Sequence, residues 1–327
     1  MALSLGEVLY TCGQVIYLYW ESLCKLLFPP RRRDVTGWRV LITGGGHGIG
    51  REMALEFGRL GADVILWDIN EENMENTAAD VRVFGAKVYT YICDVSSADD
   101  IKSVAEVVRV DVGGVDVLVN NAGVLNGGTL LEMTSADIRR TFEVNTLAQF
   151  WTVREFLPGM IDRNNGAILN IASASAKSGT AYLVDYSSSK AAVLVFSEAL
   201  AEEVALLGYS GIQVTVVCPA FVSTGLCQNP KDRINRLLTP RETALAAIDG
   251  MLRGEFVVHV PKSLWLGLKF SEILPERAHM RIKSSLNLGI DPQYSSPVAA
   301  KVRGKERCQC ITDLDNVPAE ENIHGPQ

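Results

Sequence analysis

The chain has 327 residues, 47% hydrophobic and 21% charged, enough for one core of about 250 residues with further segments at both ends. A formal net charge of −7, with no basic run beyond residues 31–33, argues against a nucleic-acid partner. The seven cysteines include no Cys-x-x-Cys pair and no cysteine–histidine cluster, which argues against a metal site or a disulfide scaffold and indicates a reducing compartment.

Residues 1–30 predict an apolar, membrane-associating helix. Read as a helix, this segment places its polar residues on one stripe. The stripe comprises Ser4, Glu7, Thr11, Gln14, Glu21 and Lys25. Such a helix can lie in a membrane interface or on a lipid monolayer. A bilayer span is an alternative that the charged residues make costly, and packing on the domain is a third. Pro29 and Pro30 end the helix, and the arginines at 31–33 are expected at anionic headgroups on the cytosolic side.

Strands alternate with helices through residues 36–261. This order predicts a single α/β domain, a Rossmann-like doubly wound parallel sheet with helices on both faces. Strands are predicted at 40–43, 63–67, 87–93, 115–119, 167–172, 212–218 and 256–260. Helices are predicted up to residue 60 and at 71–84, 98–110, 135–163, 185–207 and 241–252. Ligands of such sheets bind beyond the carboxyl ends of the strands.

Two segments follow the last predicted strand. Residues 262–290 mix large apolar with basic side chains, so a membrane-facing or substrate-entry element and a helix that caps the core are both open. Residues 291–327 are polar with scattered proline and glycine and predict a disordered tail.

A glycine-rich turn joins the first predicted strand to the first predicted helix. Glycine lets the backbone approach a pyrophosphate closely, and the helix N-terminus supplies free amides and a positive dipole end. The turn therefore predicts a dinucleotide site. Its candidate cofactor-binding residues are Thr43, Gly44, Gly46, Gly48, Ile49 and Gly50. It lacks the Gly-Lys-Ser/Thr of a phosphate-binding P-loop.

Asp68 ends the second predicted strand, eighteen residues after Gly50. A carboxylate there can accept both hydrogen bonds of an adenosine ribose diol and repels a 2′-phosphate, so NAD(H) is predicted over NADP(H). Asp94, after the third strand, could lie near the adenine amino group. Residues 120–123 follow the fourth strand, where small and amide side chains let the backbone pass close to the cofactor. The candidates in that turn are Asn121, Ala122 and Gly123.

Tyr186 and Lys190 are four residues apart, so in a helix both project from one face. A nearby ammonium favours the phenolate, which predicts that Lys190 lowers the pKa of Tyr186 and makes this phenol a general acid/base. Ser173 ends an apolar predicted strand thirteen residues upstream, where its hydroxyl can be held beside the tyrosine.

Taken together, these motifs resemble the short-chain dehydrogenase/reductase family over roughly residues 36–261. The resemblance implies that Tyr186 is the acid/base, that Lys190 also binds the nicotinamide ribose, and that Ser173 orients the substrate oxygen. It implies further that Asn145 anchors the water of a proton relay. Residues 219–224 resemble the family's nicotinamide loop, which adds Pro219, Val222 and Thr224 to the cofactor-binding residues, although Ala220 stands where members often have glycine.

Within the family, residues 66–70, 141–145 and 149–152 are similar to a membrane- and lipid-droplet-associated branch. That branch includes 17β-hydroxysteroid dehydrogenases of types 11 and 13 and epidermal-type retinol dehydrogenases. The resemblance implies an NAD-dependent dehydrogenase of a lipophilic alcohol, at the endoplasmic reticulum membrane or a lipid droplet with its catalytic domain facing the cytosol. By the same analogy, the long helices around residues 146–156 and 188–204 imply a homodimer.

Two rival functions stay open at this point. A sugar-nucleotide epimerase or dehydratase also uses Tyr-x-x-x-Lys, although its glycine turn is usually spaced differently. A lipid-droplet or membrane scaffold could keep the fold as a binding platform, although the complete set of Asn145, Ser173, Tyr186 and Lys190 argues against this reading.

Overall fold

A seven-stranded parallel sheet forms the centre of the chain. The computed structural model describes residues 4–228, 230–232, 236–286 and 289–293. The strands are β1 (Arg39–Thr43), β2 (Asp63–Asp68), β3 (Val88–Ile92), β4 (Val117–Asn120), β5 (Gly166–Ile171), β6 (Ile212–Pro219) and β7 (Val257–Val260). Their spatial order is β3-β2-β1-β4-β5-β6-β7. The chain order therefore reverses between β1 and β4, which places the ligand crevice of a doubly wound sheet at their carboxyl ends. The predicted parallel α/β fold is confirmed.

Helices cover both faces of this sheet. An N-terminal helix, α1 (Leu5–Leu27), precedes it, and the helices of the domain are α2 (Gly48–Arg59), α3 (Glu71–Arg82), α4 (Ala98–Val112), α5 (Ser135–Phe142), α6 (Ala148–Arg163), α7 (Val184–Leu206) and α8 (Pro240–Leu252). Side chains alternate along each strand, so Ile42 packs with α2, α3 and α8 on one face, whereas Leu41 packs with α4, α6 and α7 on the other. Both layers are anchored by fully buried side chains, among them Phe57 and Met160.

The predicted helix at 135–163 contains a change of helical type. Residues Glu143–Leu147 form a π-helical turn between α5 and α6, with the Ala148 amide donating to the Glu143 carbonyl. Hydrophobic periodicity runs through such a turn without a break, so the sequence pattern does not reveal it. π turns inside helices are frequent at functional sites, and this one carries Asn145.

Most of the described side chains of helix α1 are exposed to solvent. A capping box between Ser4 and Glu7 starts it, and large apolar residues along its length are exposed, including Ile16 at 70% and Tyr19 at 77%. The third sequence alternative, a helix packed on the domain, is therefore wrong. In the part of the chain that the structure describes, no helix has the length and apolarity that crossing a membrane requires.

The segment after α1 is fixed to α8. The Arg33 amide donates to the Leu252 carbonyl at 2.7 Å, and Arg32 pairs with Asp249 at 2.6 Å. Arg253 donates to the Pro30 carbonyl at 2.7 Å. These contacts set the point at which α1 leaves the domain.

Beyond β7, the chain builds a wall over the carboxyl end of the sheet. Residues 262–290 form α9 (Leu264–Ile273), α10 (Glu276–Ser285) and a two-residue strand, Gly289–Ile290, which pairs antiparallel with Pro230–Lys231. Gln293 then donates its amide to the Gly127 carbonyl at 2.6 Å and bonds the backbone of Gln228 through its side chain. The predicted disorder of residues 291–327 falls, from residue 294 onward, outside the described residues.

Candidate active site

The glycine turn after β1 is closely packed and leaves the N-terminus of α2 open. Gly44 and Gly48 have positive φ angles of 65° and 58°, which side chains other than glycine rarely adopt. A Cβ on Gly50 would lie 2.2 Å from the Gly44 carbonyl oxygen, so only glycine fits there. The N-cap residue His47 makes no side-chain cap, and the first turn of α2 contains no acidic residue. Its amides are therefore available to an anion.

Asp68 joins this turn to the end of β2. One carboxylate oxygen accepts the Gly46 amide at 2.9 Å, and the other accepts the Asn70 amide at 2.9 Å. The carboxylate lines the same cavity as Gly44 and Gly48. It is thus fixed where a dinucleotide lying on the turn would present its adenosine ribose.

Thr43 and Asn121 connect the turn with the end of β4. The Thr43 hydroxyl accepts the amides of Asn121 at 3.0 Å and Ala122 at 3.1 Å. The Asn121 side chain donates to the Thr43 and Gly44 carbonyls at 2.9 and 3.1 Å. Thr43 therefore shapes the crevice from behind, whereas Asn121, Ala122 and Gly123 line it.

Tyr186 and Lys190 lie on the first turns of α7 and face the carboxyl ends of β5 and β6. The Lys190 ammonium donates to the Ile171 carbonyl at 2.8 Å and lies 5.8 Å from the centre of the Tyr186 ring. Ser173 follows β5, and its hydroxyl accepts the Ser175 amide and hydroxyl at 3.1 and 2.9 Å. The three predicted groups meet at one wall of the cavity.

Burial dominates the protonation of this pair. It raises the pKa of Tyr186 to about 12, although the hydrogen bond with the Ser173 side chain acts to lower it. Burial also lowers the pKa of Lys190 to about 8. The predicted fall in the tyrosine pKa is therefore not found in this structure, because desolvation of the phenolate is the largest effect and burial also disfavours the charged form of Lys190.

Asn145 lies behind the cavity wall. Its side-chain oxygen accepts the Val124 amide at 2.8 Å, and its nitrogen donates to the Val124 carbonyl and the Ser189 hydroxyl, both at 3.0 Å. Ser189 in turn donates to the Tyr186 carbonyl at 2.7 Å. Asn145 is fully buried and does not line the cavity, so this side chain ties the loop after β4 to the helix of Tyr186.

A single cavity of about 1070 Å³ contains most of the predicted site. Of the predicted residues it is lined by Gly44, Gly48, Ile49, Asp68, Asp94, Asn121, Ala122, Gly123, Ser173, Tyr186, Lys190, Pro219, Val222 and Thr224. Thr43, Gly46, Gly50 and Asn145 are set behind its walls. Asp94 accepts the Ser96 amide and hydroxyl at 3.0 and 2.7 Å, which holds its carboxylate at the edge of the β3 end.

The sequence left the role of residues 262–290 open, and the structure places part of them at the far end of the cavity. Apolar side chains close it beyond Tyr186, and α9 and α10 supply several of them. These are Leu183, Leu226, Leu264, Leu268, Phe270, Leu274, Ile282 and Leu286. Sequence reasoning missed Ser189, although its place within Tyr-Ser-Ser-Ser-Lys was a signal, because a polar residue three positions from the candidate acid/base tyrosine faces the same side of the helix.

The family model for short chain dehydrogenases matches residues 39–235, well over half of the chain. The chain belongs to the short-chain dehydrogenase family. Among curated relatives, this short-chain dehydrogenase is 42% identical over 271 residues to estradiol 17-beta-dehydrogenase 11 of Macaca fascicularis, covering 83% of this chain and 90% of the relative. It is 38% identical over 299 residues to 17-beta-hydroxysteroid dehydrogenase 13 of Homo sapiens, covering 91% and 98% of the two chains.

Solved structures agree with this short-chain dehydrogenase fold. The L-sorbose reductase of Gluconobacter frateurii, complexed with NADPH and L-sorbose, has a TM-score of 0.64 at 26% identity, covering 70% of this chain and 97% of that one. A short-chain dehydrogenase of Burkholderia phymatum in complex with NAD has a TM-score of 0.68 at 24% identity over 80% and 99% of the two chains, a likeness of fold alone. The chain is accordingly an oxidoreductase of the short-chain type.

Proposed function

We propose that this short-chain dehydrogenase uses NAD(H) to interconvert a lipophilic alcohol with its aldehyde or ketone. The observation that carries the proposal is the continuity of one cavity, which runs from the Asp68 carboxylate past Tyr186 to an apolar end. A retinol, a steroid or another long lipid alcohol suits that end, because apolar walls favour apolar substrates. Steroid-dehydrogenase names among the relatives support the same class.

The residues at the β1–β4 crevice fit a dinucleotide. The open N-terminus of α2 and the close-packed glycine turn would hold a pyrophosphate, and the Asp68 carboxylate would accept the adenosine ribose hydroxyls. A 2′-phosphate would instead meet a negative charge at Asp68. Bound NAD⁺ or NADH supplies the acceptor or donor of the hydride.

Tyr186 supplies the proton in the reductive direction. With its pKa raised to about 12, the phenol is protonated at neutral pH and can donate to a carbonyl oxygen held between it and Ser173. Oxidation of an alcohol requires this proton to leave first, which the charged form of Lys190 favours electrostatically. Asn145 and Ser189 keep the helix of Tyr186 in register with the loop after β4.

Steady-state kinetics with both cofactors test the assignment of NAD. We expect a lower KM for NADH than for NADPH, and we expect Asp68→Asn to narrow the difference because the repulsive charge is lost. Asp99→Asn, at the exposed start of α4, is a control with the same change in net charge. A clear preference of the unmodified enzyme for NADPH contradicts the assignment.

Turnover of Tyr186→Phe tests the acid/base role. A panel of retinol, estradiol and long-chain alcohols identifies the substrate, and the variant should lose about 10³-fold in kcat. Titration of tryptophan fluorescence with NADH should show unchanged binding, because the phenyl ring remains in place. Activity near that of the parent enzyme would refute the role of the phenol.

We also propose that α1 attaches the enzyme to the endoplasmic reticulum membrane or to a lipid droplet, with the catalytic domain facing the cytosol. Its exposed apolar residues, among them Leu9 at 64% and Trp20 at 65%, support a lipid-facing helix. Removal of residues 1–28 should release the protein from membrane fractions while activity on a water-soluble alcohol persists. Loss of cellular function with full activity in solution would favour the alternative, a lipid-droplet or membrane scaffold built on the same fold.

A homodimer is proposed through the outer faces of α6 and α7. Phe150 and Val195 are 41% and 62% exposed there, which leaves apolar surface on two adjacent helices. Sedimentation equilibrium of the protein in mild detergent tests this, with Val195→Glu expected to shift the mass to that of one chain.

A further inference from the structure

Helix α9 is apolar on two sides at once. Leu264 and Leu268, one turn apart, line the active-site cavity together with the small polar Ser271. Leu266, Phe270 and Ile273 follow the same spacing on the opposite side of the helix, about half a turn away, and they are 66%, 60% and 82% exposed. A surface helix of a water-soluble domain normally presents polar side chains on its outer side. The exposed apolar stripe of α9 therefore indicates an interaction surface.

Charged residues border the outer stripe of α9. Lys262 precedes the helix and Arg277 follows it, both exposed. Within the helix, Lys269 pairs with Glu272 at 2.8 Å. Trp265 adjoins the stripe and is 52% exposed. Exposed aliphatic residues with a neighbouring tryptophan and flanking cations are the pattern of a helix that lies at a lipid interface with anionic headgroups.

The position of α9 beside the cavity favours a lipid surface over a protein as the partner of the outer stripe. The helix is the outer wall of the cavity's apolar end, where Phe270 both lines the cavity and reaches the exterior. A protein bound to this side would close the apolar end, whereas a lipid surface would be continuous with it. α10 is tied to the loop after β5, because Lys283 donates to the Ser178 hydroxyl at 3.0 Å and to the Gly179 carbonyl.

We propose that α9 is the lipid-contacting wall of the active-site cavity. Its outer stripe lies among the acyl chains of a lipid surface that carries anionic headgroups, and the substrate enters past this helix without crossing water. The entry step rests on the proposed function of the cavity, whereas the contact with lipid does not. The site of contact is separate from α1, which leaves the domain beside α8.

Kinetics with two routes of substrate delivery test the entry step in the full-length chain. The variant Leu266→Glu/Ile273→Glu places two charges on the outer stripe without touching a cavity-lining residue. Val83→Glu/Val110→Glu is the matched control, with the first position directly after α3 and 80% exposed and the second in α4 and 85% exposed. Rates are measured for retinol dissolved in phosphatidylcholine vesicles containing phosphatidylserine, and for cyclohexanol in water.

We expect the α9 variant to lose about tenfold in kcat/KM for the vesicle-borne alcohol, since carboxylates oppose insertion among acyl chains. Its rate with cyclohexanol should stay within about twofold of the control. An equal loss with both substrates, or no loss with either, overturns the entry route. So does a shift of the variant from dimer to monomer in sedimentation, which would assign the stripe to a second copy of this chain.

A fluorescence measurement tests lipid contact without turnover. In a Trp20→Phe background, brominated phosphatidylcholine in the same vesicles should quench the emission, and the additional change Trp265→Phe should remove that quenching. Quenching that is independent of Trp265 overturns the proposed contact. If no alcohol of the panel is oxidised, the proposed function fails, and this measurement still decides whether α9 lies in lipid.

Discussion

Lys190 is buried as a cation, and its titration gives a quantitative test of the site. The side chain is 3% exposed, and its ammonium has the Ile171 carbonyl as a neighbour at 2.8 Å. The salt bridges found among the described residues do not include it. Burial lowers its pKa from 10.5 to about 8. The folded protein therefore holds this proton less tightly than the unfolded chain does.

The sign of the effect on stability follows from proton linkage. Below pH 8 the lysine is charged in both states, and the folded state bears the full cost of desolvation. Between the folded pKa of about 8 and the unfolded value of 10.5, the unfolded chain binds more protons, so stability rises with pH. From the two pKa values, the gain at pH 9.5 relative to pH 7 is on the order of 2 kcal/mol.

Lys190→Met removes this titration and keeps the length and apolar stem of the side chain. The free energy of unfolding of the cofactor-free protein is measured in urea at pH 7 and pH 9.5. Between these pH values the parent should gain on the order of 2 kcal/mol relative to the variant. Lys102→Met, on the exposed side of α4, is the control and should leave the pH dependence unchanged. An unchanged difference between parent and Lys190→Met at the two pH values would refute the inferred burial of the charge.

Three further predictions concern other parts of the domain. Burial lowers the pKa of His259 to about 4, so the stability that its neutral form contributes is complete above pH 6.5 and is lost as pH falls toward 4; His259→Phe should flatten urea midpoints over that range. Gly50→Ala should abolish NADH binding measured by calorimetry, because its Cβ would meet a carbonyl at 2.2 Å, whereas Gly159→Ala in α6 should bind normally. Asp116→Asn should lower the free energy of unfolding by about 3 kcal/mol, since the partly buried guanidinium of Arg39 loses a bidentate partner at 2.8 Å; an unchanged urea midpoint would contradict this.

The sequence predicted the sheet well because most of its strands are buried on both faces, the edge strand β3 being the exception. Continuous apolar runs such as the one ending at Asp68 leave little choice of structure, and turn chemistry fixes their ends. The proximity of the proposed catalytic groups was also predictable, since parallel strands bring the residues after their carboxyl ends to one edge. Tyr186, Lys190 and Ser173 therefore meet as expected.

Other features depend on three-dimensional surroundings that no local pattern encodes. Spacing alone places Lys190 near Tyr186, but the pKa of each depends on burial by distant elements, and the expected direction for Tyr186 was reversed. The π-helical turn at Asn145 shares its periodicity with the flanking helices. The role of residues 262–290 was left open because an apolar helix beside a cavity and one beside lipid have the same composition.

The two ends of the cavity differ in how far the match to the family model covers them. The stretch that matches the family, residues 39–235, contains Asp68, Ser173, Tyr186 and Lys190, whereas α9 and α10 come afterwards. Much of the apolar end of the cavity therefore lies outside the length of chain that contains the proposed acid/base groups, although Leu183 and Leu226 lie within it. Exchange of some thirty residues between two such enzymes could redirect the substrate while every atom of the proton and hydride machinery stayed the same.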